Sequence, residues 1–177
     1  TQALLDECGT VEKTETALTL QCRDADAAYY ISSNADQNVV GGANDGGGVS
    51  ARLDANSSTY FHSQWSGTAV SEDHYLQVDM GEGNLIDNFK FAYSVRTTPD
   101  QGQSPHPTVI SVYASNDGSD FSQLLATFKS TDESNPLPDY TSLGTIWTSP
   151  TIPAQAAYRY LRFVVTGSRG PGNTQYG

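Results

Sequence analysis

Residues 51–65 read ARLDANSSTYFHSQW, and this stretch decides the fold. It opens with an oxygen-rich turn and closes with aromatic side chains and one imidazole. Asp54, Asn56 and Thr59 offer hard oxygen ligands within a few residues, and backbone carbonyls of a kinked turn can complete a calcium site. The spacing is not that of an EF-hand loop. The same residue types also form ordinary turns, because their side chains bond their own backbone, so both interpretations stay open on these residues alone.

Three later segments accompany this stretch, with the sequences HYLQVDMG at 74–81, VYASNDGSDF at 112–121 and YRYLRF at 158–163. Together with residues 53–65 they resemble the signature of the discoidin, or coagulation factor 5/8 type C, domains. Within that family the chain is most similar to the galactose-binding-like carbohydrate-binding modules of bacteria (family 32). The four matches occur in the family's order and cover about residues 50–166.

The resemblance implies an all-β fold, a β-sandwich of the jelly-roll type. It also implies a structural Ca²⁺ whose ligands would be the backbone carbonyl of Ala51 and the side chains of Asp54, Asn56 and Thr59. In the family a final strand carries a further acidic ligand, and the sequence ends at Gly177 without it. We therefore expect the last strand to be missing and the calcium cage to lack that ligand.

A sugar-binding site needs an aromatic platform and planar hydrogen-bonding groups, because a pyranose has an apolar C–H face and a rim of hydroxyls. His62 and Trp65 follow the predicted metal turn and are candidates for both roles. The resemblance assigns the grip on ring hydroxyls to Arg96, with Gln103 in place of the family's usual Asn. His106, predicted on an exposed loop between two prolines, is a candidate for the same rim.

Each candidate residue also has an interpretation in which it stabilises the fold and does not bind sugar. Trp65 is compatible with a core position, and His62 with a simple bond to a backbone carbonyl. His74 competes with His62 for the sugar-binding role, and Arg96 is compatible with an ion pair to a nearby aspartate. Trp147, late in a polar connection, is compatible with either a platform or a clasp.

The composition favours a single β-rich domain of 177 residues with an N-terminal extension. We predict the extension at 1–28, as an added edge strand or the end of a preceding segment, and the discoidin-like domain at 29–177. Cys8 and Cys22 are compatible with one disulfide or with two buried thiols. A glycine-rich segment at 41–48 predicts a loop with left-handed positions rather than a phosphate-binding loop. Alternation of apolar and polar residues predicts strands at 16–22, 76–80, 86–96, 108–114 and 158–166, the last of them central.

The charge and the motifs exclude several functions. A net charge of −11 argues against binding to nucleic acids or to anionic membranes. No apolar run reaches the length of a membrane-spanning helix, and no signal peptide is recognised, so any such segment is expected outside this sequence. We expect no loop with paired exposed apolar side chains, which disfavours the lipid binding of the blood-clotting relatives. The aspartates lie mostly in turns and no serine has a nucleophile-elbow sequence, so we expect no catalysis.

These observations predict a non-catalytic carbohydrate-binding module of a secreted or cell-surface bacterial protein, with a galactose-type or related sugar as its glycan partner. The module is expected to belong to a larger multidomain protein, in which a glycoside hydrolase is one compatible neighbour. The alternative is an adhesion or spacer domain that binds protein rather than sugar.

Overall fold

The computed structural model describes residues 12–14, 17–19, 31–42, 46–49, 59–67, 70–82, 85–94, 106–132, 134, 136–137 and 146–169. This part of the chain contains strands and turns and no α-helix. The strands are β1 (Glu12–Thr14), β2 (Ala17–Thr19), β3 (Ile31–Ser33), β4 (His74–Asp79), β5 (Ile86–Phe89), β6 (Ala92–Ser94), β7 (His106–Ser115), β8 (Gln123–Lys129), β9 (Ile146–Thr148), β10 (Ile152–Tyr158) and β11 (Tyr160–Arg169).

Five antiparallel strands form the main sheet, in the order β3-β4-β11-β7-β8. The predicted central strand is confirmed, because β11 lies between β4 and β7 and pairs with both. Arg162 stands opposite Gln77 on one side and Tyr113 on the other. Since side chains alternate between the faces of a strand, Leu161 and Phe163 point to the opposite face, where they contact the core.

The second layer consists of two antiparallel pairs, β5 with β10 and β6 with β9. Side chains from both layers fill the space between them, which makes the domain a β-sandwich and confirms the predicted fold class. The buried core consists of Phe89, Ile110, Val112, Ala114, Phe128, Leu137, Ile152 and Leu161. Trp147 packs against this core, with its ring 5.4 Å from Phe91 and 5.8 Å from Phe128. Its ring therefore packs against the core rather than standing free as a platform.

The prediction of one continuous strand over 86–96 is wrong, because β5 ends at Phe89 and β6 begins at Ala92. Ser149 lies at the break. Its hydroxyl accepts a hydrogen bond from the Phe91 amide at 3.1 Å, and its own amide donates to the Phe91 carbonyl at 2.9 Å. The two halves then pair with different partner strands. Periodicity alone does not show this change of partner.

The Asp-Gly pair at 117–118 predicts a turn, and the structure confirms it, with a left-handed φ of 76° at Gly118. Asp117 Oδ1 accepts hydrogen bonds from the amides of Asp120 and Ser119 and from the Ser115 hydroxyl. These bonds to the charged form hold the pKa of Asp117 far below its usual range. Leu124, in the strand β8 that follows this turn, is 48 % exposed despite its apolar side chain.

Two of the sequence motifs meet where β4 ends and β11 begins. Arg159 donates from Nε to Asp79 Oδ1 at 2.7 Å and from Nη2 to Oδ2 at 2.9 Å. Partial burial opposes ionisation of Asp79, but the bonds from Arg159 and from the Gly81 amide outweigh it and lower its pKa. Such a bidentate pair fixes orientation as well as distance, so it sets the register of the two strands at this end.

The N-terminal hairpin is separate from the main sheet. β1 and β2 pair only with each other among the described strands. β2 lies inside the segment predicted as a strand at 16–22, and is shorter. Cys8 and Cys22 lie outside the described residues. The domain boundary at residue 28 stays a prediction.

Candidate functional site

Two loop segments, residues 35–41 and 60–67, are bonded into one structure, called the loop unit below. The Gln37 amide donates to the His62 carbonyl at 3.1 Å, and the Gln64 amide donates to the Ala35 carbonyl at 2.8 Å. Asp36 and Ser63 form an antiparallel bridge between these bonds. The two segments are therefore held together as a very short piece of sheet outside the named strands.

The Gln37 side chain is the internal support of the loop unit, and it is fully buried. Its Oε1 accepts from the Trp65 amide at 2.8 Å and from the Ser66 amide at 3.3 Å. Its Nε2 donates to the Ser66 hydroxyl at 2.7 Å. A Cβ at Gly41 would collide with this amide group, so the chain closes tightly around it. These hydrogen bonds to the buried Gln37 side chain thus fix the backbone that carries Trp65.

Asp36 also stabilises the loop unit, through hydrogen bonds to backbone amides. Its Oδ1 accepts from the Asn38 amide and its Oδ2 from the Val49 amide, both at 2.9 Å. Its carbonyl accepts from the amides of Val39 at 3.0 Å and Val40 at 2.8 Å, which closes a turn. Asp36 is 5 % exposed, so its carboxylate organises backbone rather than facing solvent.

Three of the aromatic rings in residues 60–67 lie edge to face in succession. The His62 ring lies edge-on to Tyr60 at 6.4 Å and to Trp65 at 6.1 Å. Its Nδ1 lies 2.9 Å from the Ser63 carbonyl. A carbonyl only accepts, so Nδ1 carries the proton, and Nε2 is the acceptor in the neutral ring. Trp65 is 52 % exposed, which settles its position as surface rather than core.

The glycine-rich segment packs against the first of these rings, and its prediction as a loop with left-handed positions is confirmed. Gly46, Gly47 and Gly48 have φ values of 79°, 115° and 70°. The Tyr60 amide donates to the Gly46 carbonyl at 2.8 Å, and a Cβ at Gly46 would collide with the Tyr60 ring. Only glycine permits both the conformation and the close approach.

Comparison with known proteins identifies the family of this chain. The profile of the F5/8 type C domain matches residues 31–176. The chain belongs to the F5/8 type C domain family. Its predicted galactose-binding-like, jelly-roll sandwich is therefore confirmed. No curated protein sequence matches the chain.

Solved structures share the fold of this F5/8 type C domain. A fragment of a protein described as a chitobiase from Bacteroides thetaiotaomicron is 22% identical, with a TM-score of 0.58 over 80% of this chain and 77% of that one. The C-terminal domain of a chitobiase from Bacteroides fragilis is 18% identical, with a TM-score of 0.51 over 81% and 82%. CBM32-3 of a family 31 glycoside hydrolase from Clostridium perfringens is 15% identical, with a TM-score of 0.55 over 85% and 87%.

The structure of the F5/8 type C domain brings two predicted sugar ligands together, His62 and Trp65. Arg96 and Gln103 lie outside the described residues. Of the four predicted calcium ligands, Thr59 is described and half-buried, immediately before Tyr60. The other three, Ala51, Asp54 and Asn56, lie outside the described residues. In the described part, no group of three or more His, Cys, Asp or Glu side chains could hold a metal ion.

The prediction that His106 lies on an exposed rim is wrong. The residue is 4 % exposed and begins β7, opposite Arg169. The strand extends further towards the N-terminus than its apolar alternation suggests, and it takes in Pro107. His74 is likewise 8 % exposed at the start of β4. Of the three histidines, His62 is therefore the one that is partly exposed.

Two further features of the loop unit were not predicted. Gln37 gives no sequence signal, because a buried glutamine in a polar loop looks like any surface glutamine. Val39 and Val40 are 76% and 42% exposed, so the expectation that no loop carries paired exposed apolar side chains is wrong.

The described part of the chain contains no helix with the length and hydropathy needed to cross a membrane.

Replacing Gln37 tests its role as internal support. Gln37→Leu would leave the Trp65 and Ser66 amides without the acceptor that buried Gln37 supplies, and a lost buried hydrogen-bond partner costs about 1–3 kcal/mol. We expect that loss in urea denaturation, together with a changed Trp65 fluorescence. The exposed Gln123 is the control, because among the described residues its side chain bonds just the neighbouring Leu124 carbonyl. Equal stabilities of Gln37→Leu and Gln123→Leu would contradict this role.

His74 makes stability depend on pH. Burial lowers its pKa, although Asp73 partly offsets this, and its Nδ1 is buried without a hydrogen-bond partner among the described residues. The folded-state pKa lies below the unfolded one, so the unfolded state takes up the proton first. Stability should therefore be complete above about pH 6.5 and should fall as the pH drops through the window below it.

Denaturation in urea between pH 7.5 and 5 measures this decline. His74→Leu should flatten the profile. Asp73→Asn should steepen it, because removing the carboxylate lowers the His74 pKa further. A profile that is unchanged in His74→Leu would show that another group controls the acid limb.

Proposed function

We propose that this domain is a non-catalytic carbohydrate-binding module whose sugar face includes Trp65 and His62. The observation that carries the proposal is the exposed Trp65 ring, edge-on to His62 at 6.1 Å, on a backbone fixed by buried Gln37. The C–H face of a pyranose stacks on such an indole, and its hydroxyls bond a neighbouring imidazole. A fixed backbone keeps the entropy cost of binding low.

The charge of the loop unit supports a sugar ligand. The whole chain carries a net charge of −11. In residues 35–41 and 60–67 the one acidic side chain is Asp36, which is 5 % exposed and bonded to two backbone amides. The unit therefore presents aromatic and neutral polar groups on a strongly acidic protein. This combination suits an uncharged polyhydroxylated ligand.

Family membership supports the remaining parts of the proposal. Arg96 would grip ring hydroxyls and Gln103 would assist it, with a galactose-type or related sugar as ligand. Among the structural neighbours, CBM32-3 is described as part of a family 31 glycoside hydrolase, which supports a place in a larger, secreted or cell-surface protein. The role here is binding, with catalysis left to a neighbouring domain.

A structural Ca²⁺ belongs to the same proposal. The Ala51 carbonyl and the side chains of Asp54, Asn56 and Thr59 would hold it, as oxygen donors suited to this ion. Thr59 immediately precedes Tyr60, whose amide is already bonded to Gly46. Holding Thr59 would therefore fix the approach to Tyr60 and His62. The ion would supply charge and rigidity there.

An adhesion or spacer domain is the alternative function. The exposed Val39–Val40 turn favours it, because adjacent exposed apolar side chains are also a feature of protein-binding surfaces. A glycan array probed with the intact domain distinguishes the two functions. A blank array, together with retention of a protein partner, would favour adhesion.

Trp65→Ala tests the sugar site. Loss of a stacking platform should weaken binding to an array-positive glycan by about tenfold or more, since an aromatic contact of this kind is worth on the order of 1 kcal/mol beyond its buried area. Titration calorimetry measures the loss, and the melting temperature should hardly change, because the ring is surface-exposed. Arg96→Ala should weaken binding in the same way. Ile146→Ala, at a 74 % exposed residue of β9, is the control.

Retention of full glycan affinity by Trp65→Ala would place the sugar elsewhere.

Calcium removal tests the metal. An ion that binds only the folded state stabilises it by about 2.7 kcal/mol at a hundred times its dissociation constant. EDTA should therefore lower the melting temperature by roughly 5–10 °C for a domain of this size, and added Ca²⁺ should restore it. Asp54→Ala should melt at the lower temperature and ignore EDTA. Identical melting curves with and without EDTA would remove calcium from the proposal.

A further inference from the structure

One row of side chains crosses all five strands of the main sheet. Ser32 of β3 stands opposite Gln77 of β4, which stands opposite Arg162 of central β11. On the other side of β11, Arg162 stands opposite Tyr113 of β7, and Tyr113 opposite Leu124 of β8. The residues on either side of Arg162 in β11 contact the core. Since paired residues share a face and neighbours along a strand do not, the row lies on the outer face of the sheet.

Arg162 is held firmly at the centre of this row. Its guanidinium carbon lies 4.1 Å from the centroid of the Tyr75 ring and 3.7 Å from that of the Phe121 ring. Its Nε and Nη2 both donate to Gln77 Oε1, at 3.1 Å and 2.7 Å. Ring faces attract a guanidinium, so three side chains restrict its position. A cation that is already ordered loses little entropy when it binds.

One edge of the Arg162 guanidinium is left for a ligand. Gln77 receives N–H groups of Nε and Nη2, and a guanidinium also carries N–H groups on Nη1. In the described part of the chain Arg162 forms no ion pair, and the one buried side-chain nitrogen or oxygen without a partner is His74 Nδ1. Nη1 of Arg162 is therefore reached by solvent. Arg159 differs, because it is bonded through Nε and Nη2 to Asp79.

The composition of this face is that of a protein-binding surface. Tyrosine, phenylalanine and arginine are enriched where proteins meet, and the strongest contacts centre on such residues. The rings of Tyr75 and Phe121 each turn a face to the guanidinium, and that face is closed to a stacking sugar. Leu124 is 48 % exposed and offers no hydrogen bond to a hydroxyl.

The charge of the chain indicates which partner this face takes. The net charge is −11, so a second copy of the chain is repelled. The guanidinium of Arg162, which no carboxylate among the described residues neutralises, instead complements a single acidic group. Its planar fork matches the two oxygens of a carboxylate.

We propose that the outer face of the main sheet is a second binding surface, outside the loop unit, that docks a protein segment with a carboxylate beside an apolar side chain. The carboxylate accepts from Nη1 and Nη2 of Arg162, and the apolar side chain packs on Tyr113 and Leu124. The surface consists of Tyr75, Gln77, Tyr113, Phe121, Leu124 and Arg162. It leaves the proposed sugar site free, so one domain can hold a glycan and a protein together.

Selection of short random peptides displayed on phage tests this proposal. The unaltered domain is the target, and Arg162→Gln/Leu124→Ser removes background binders. The selected peptides should carry Asp or Glu close to a large apolar residue. In calorimetry, Arg162→Gln should weaken the binding of such a peptide about tenfold or more, because a charge-assisted bond is lost. Replacing the peptide's carboxylate by an amide should cost as much, and both changes together no more than either alone.

Three variants separate loss of contact from other effects. Lys129→Gln removes the same charge at an exposed residue of β8 and should keep peptide affinity within about twofold. Leu124→Ser should weaken binding several-fold without changing the urea midpoint, because the side chain is exposed. Trp65→Ala should bind the peptide with full affinity, since that ring belongs to the loop unit.

Several results would overturn the proposal. They are a selection that enriches no peptide, enriched peptides that lack a carboxylate, and peptides that bind Arg162→Gln as tightly as the unaltered domain. Binding of polygalacturonate that Arg162→Gln abolishes, without peptide binding, would assign this face to an acidic glycan instead. Each of these results would leave the sugar site of the loop unit untouched.

Discussion

The side-chain amide of Gln37 is the interaction on which the geometry of the site depends. It lies at the centre of two loops, where one oxygen accepts from two successive backbone amides and one nitrogen donates to a hydroxyl. A buried amide is costly unless its hydrogen bonds are made, so these loops have few alternatives to the observed conformation. The exposed face of Trp65 is fixed because the backbone behind it is.

This support reaches the main sheet through another amide side chain. Asn34 follows β3, donates from Nδ2 to the Asp73 carbonyl at 3.0 Å and accepts at Oδ1 from the Tyr75 amide at 2.9 Å. These bonds tie the entry of the loop unit to the beginning of β4, which itself pairs with central β11. Rigidity therefore passes from the sandwich to the loop through hydrogen bonds, in a region with little apolar core of its own.

The sequence reveals the sandwich more readily than the loop unit. The segments 74–81, 112–121 and 158–163 predict features that depend on local periodicity or on a turn, and the structure has all of them. The division between β5 and β6 depends on Ser149, which is 58 residues away from Phe91. The burial of His106 depends on its place in a sheet, and the role of Gln37 on contacts about 28 residues away. No local pattern encodes such contacts, so His62 and Trp65 were predictable as a pair and their support was not.

The loop unit also differs from an ordinary acidic surface, because its exposed side chains are uncharged. An acidic chain commonly gains solubility from charge distributed over all its faces. Here the one carboxylate of residues 35–41 and 60–67, that of Asp36, is buried and bonded to the Asn38 and Val49 amides, while Trp65, Val39 and Val40 are exposed. Burying Asp36 removes a charge whose water shell any ligand would have to displace. The surface that remains on the loop unit carries aromatic, aliphatic and neutral polar groups, which is the combination on which the proposed sugar site rests.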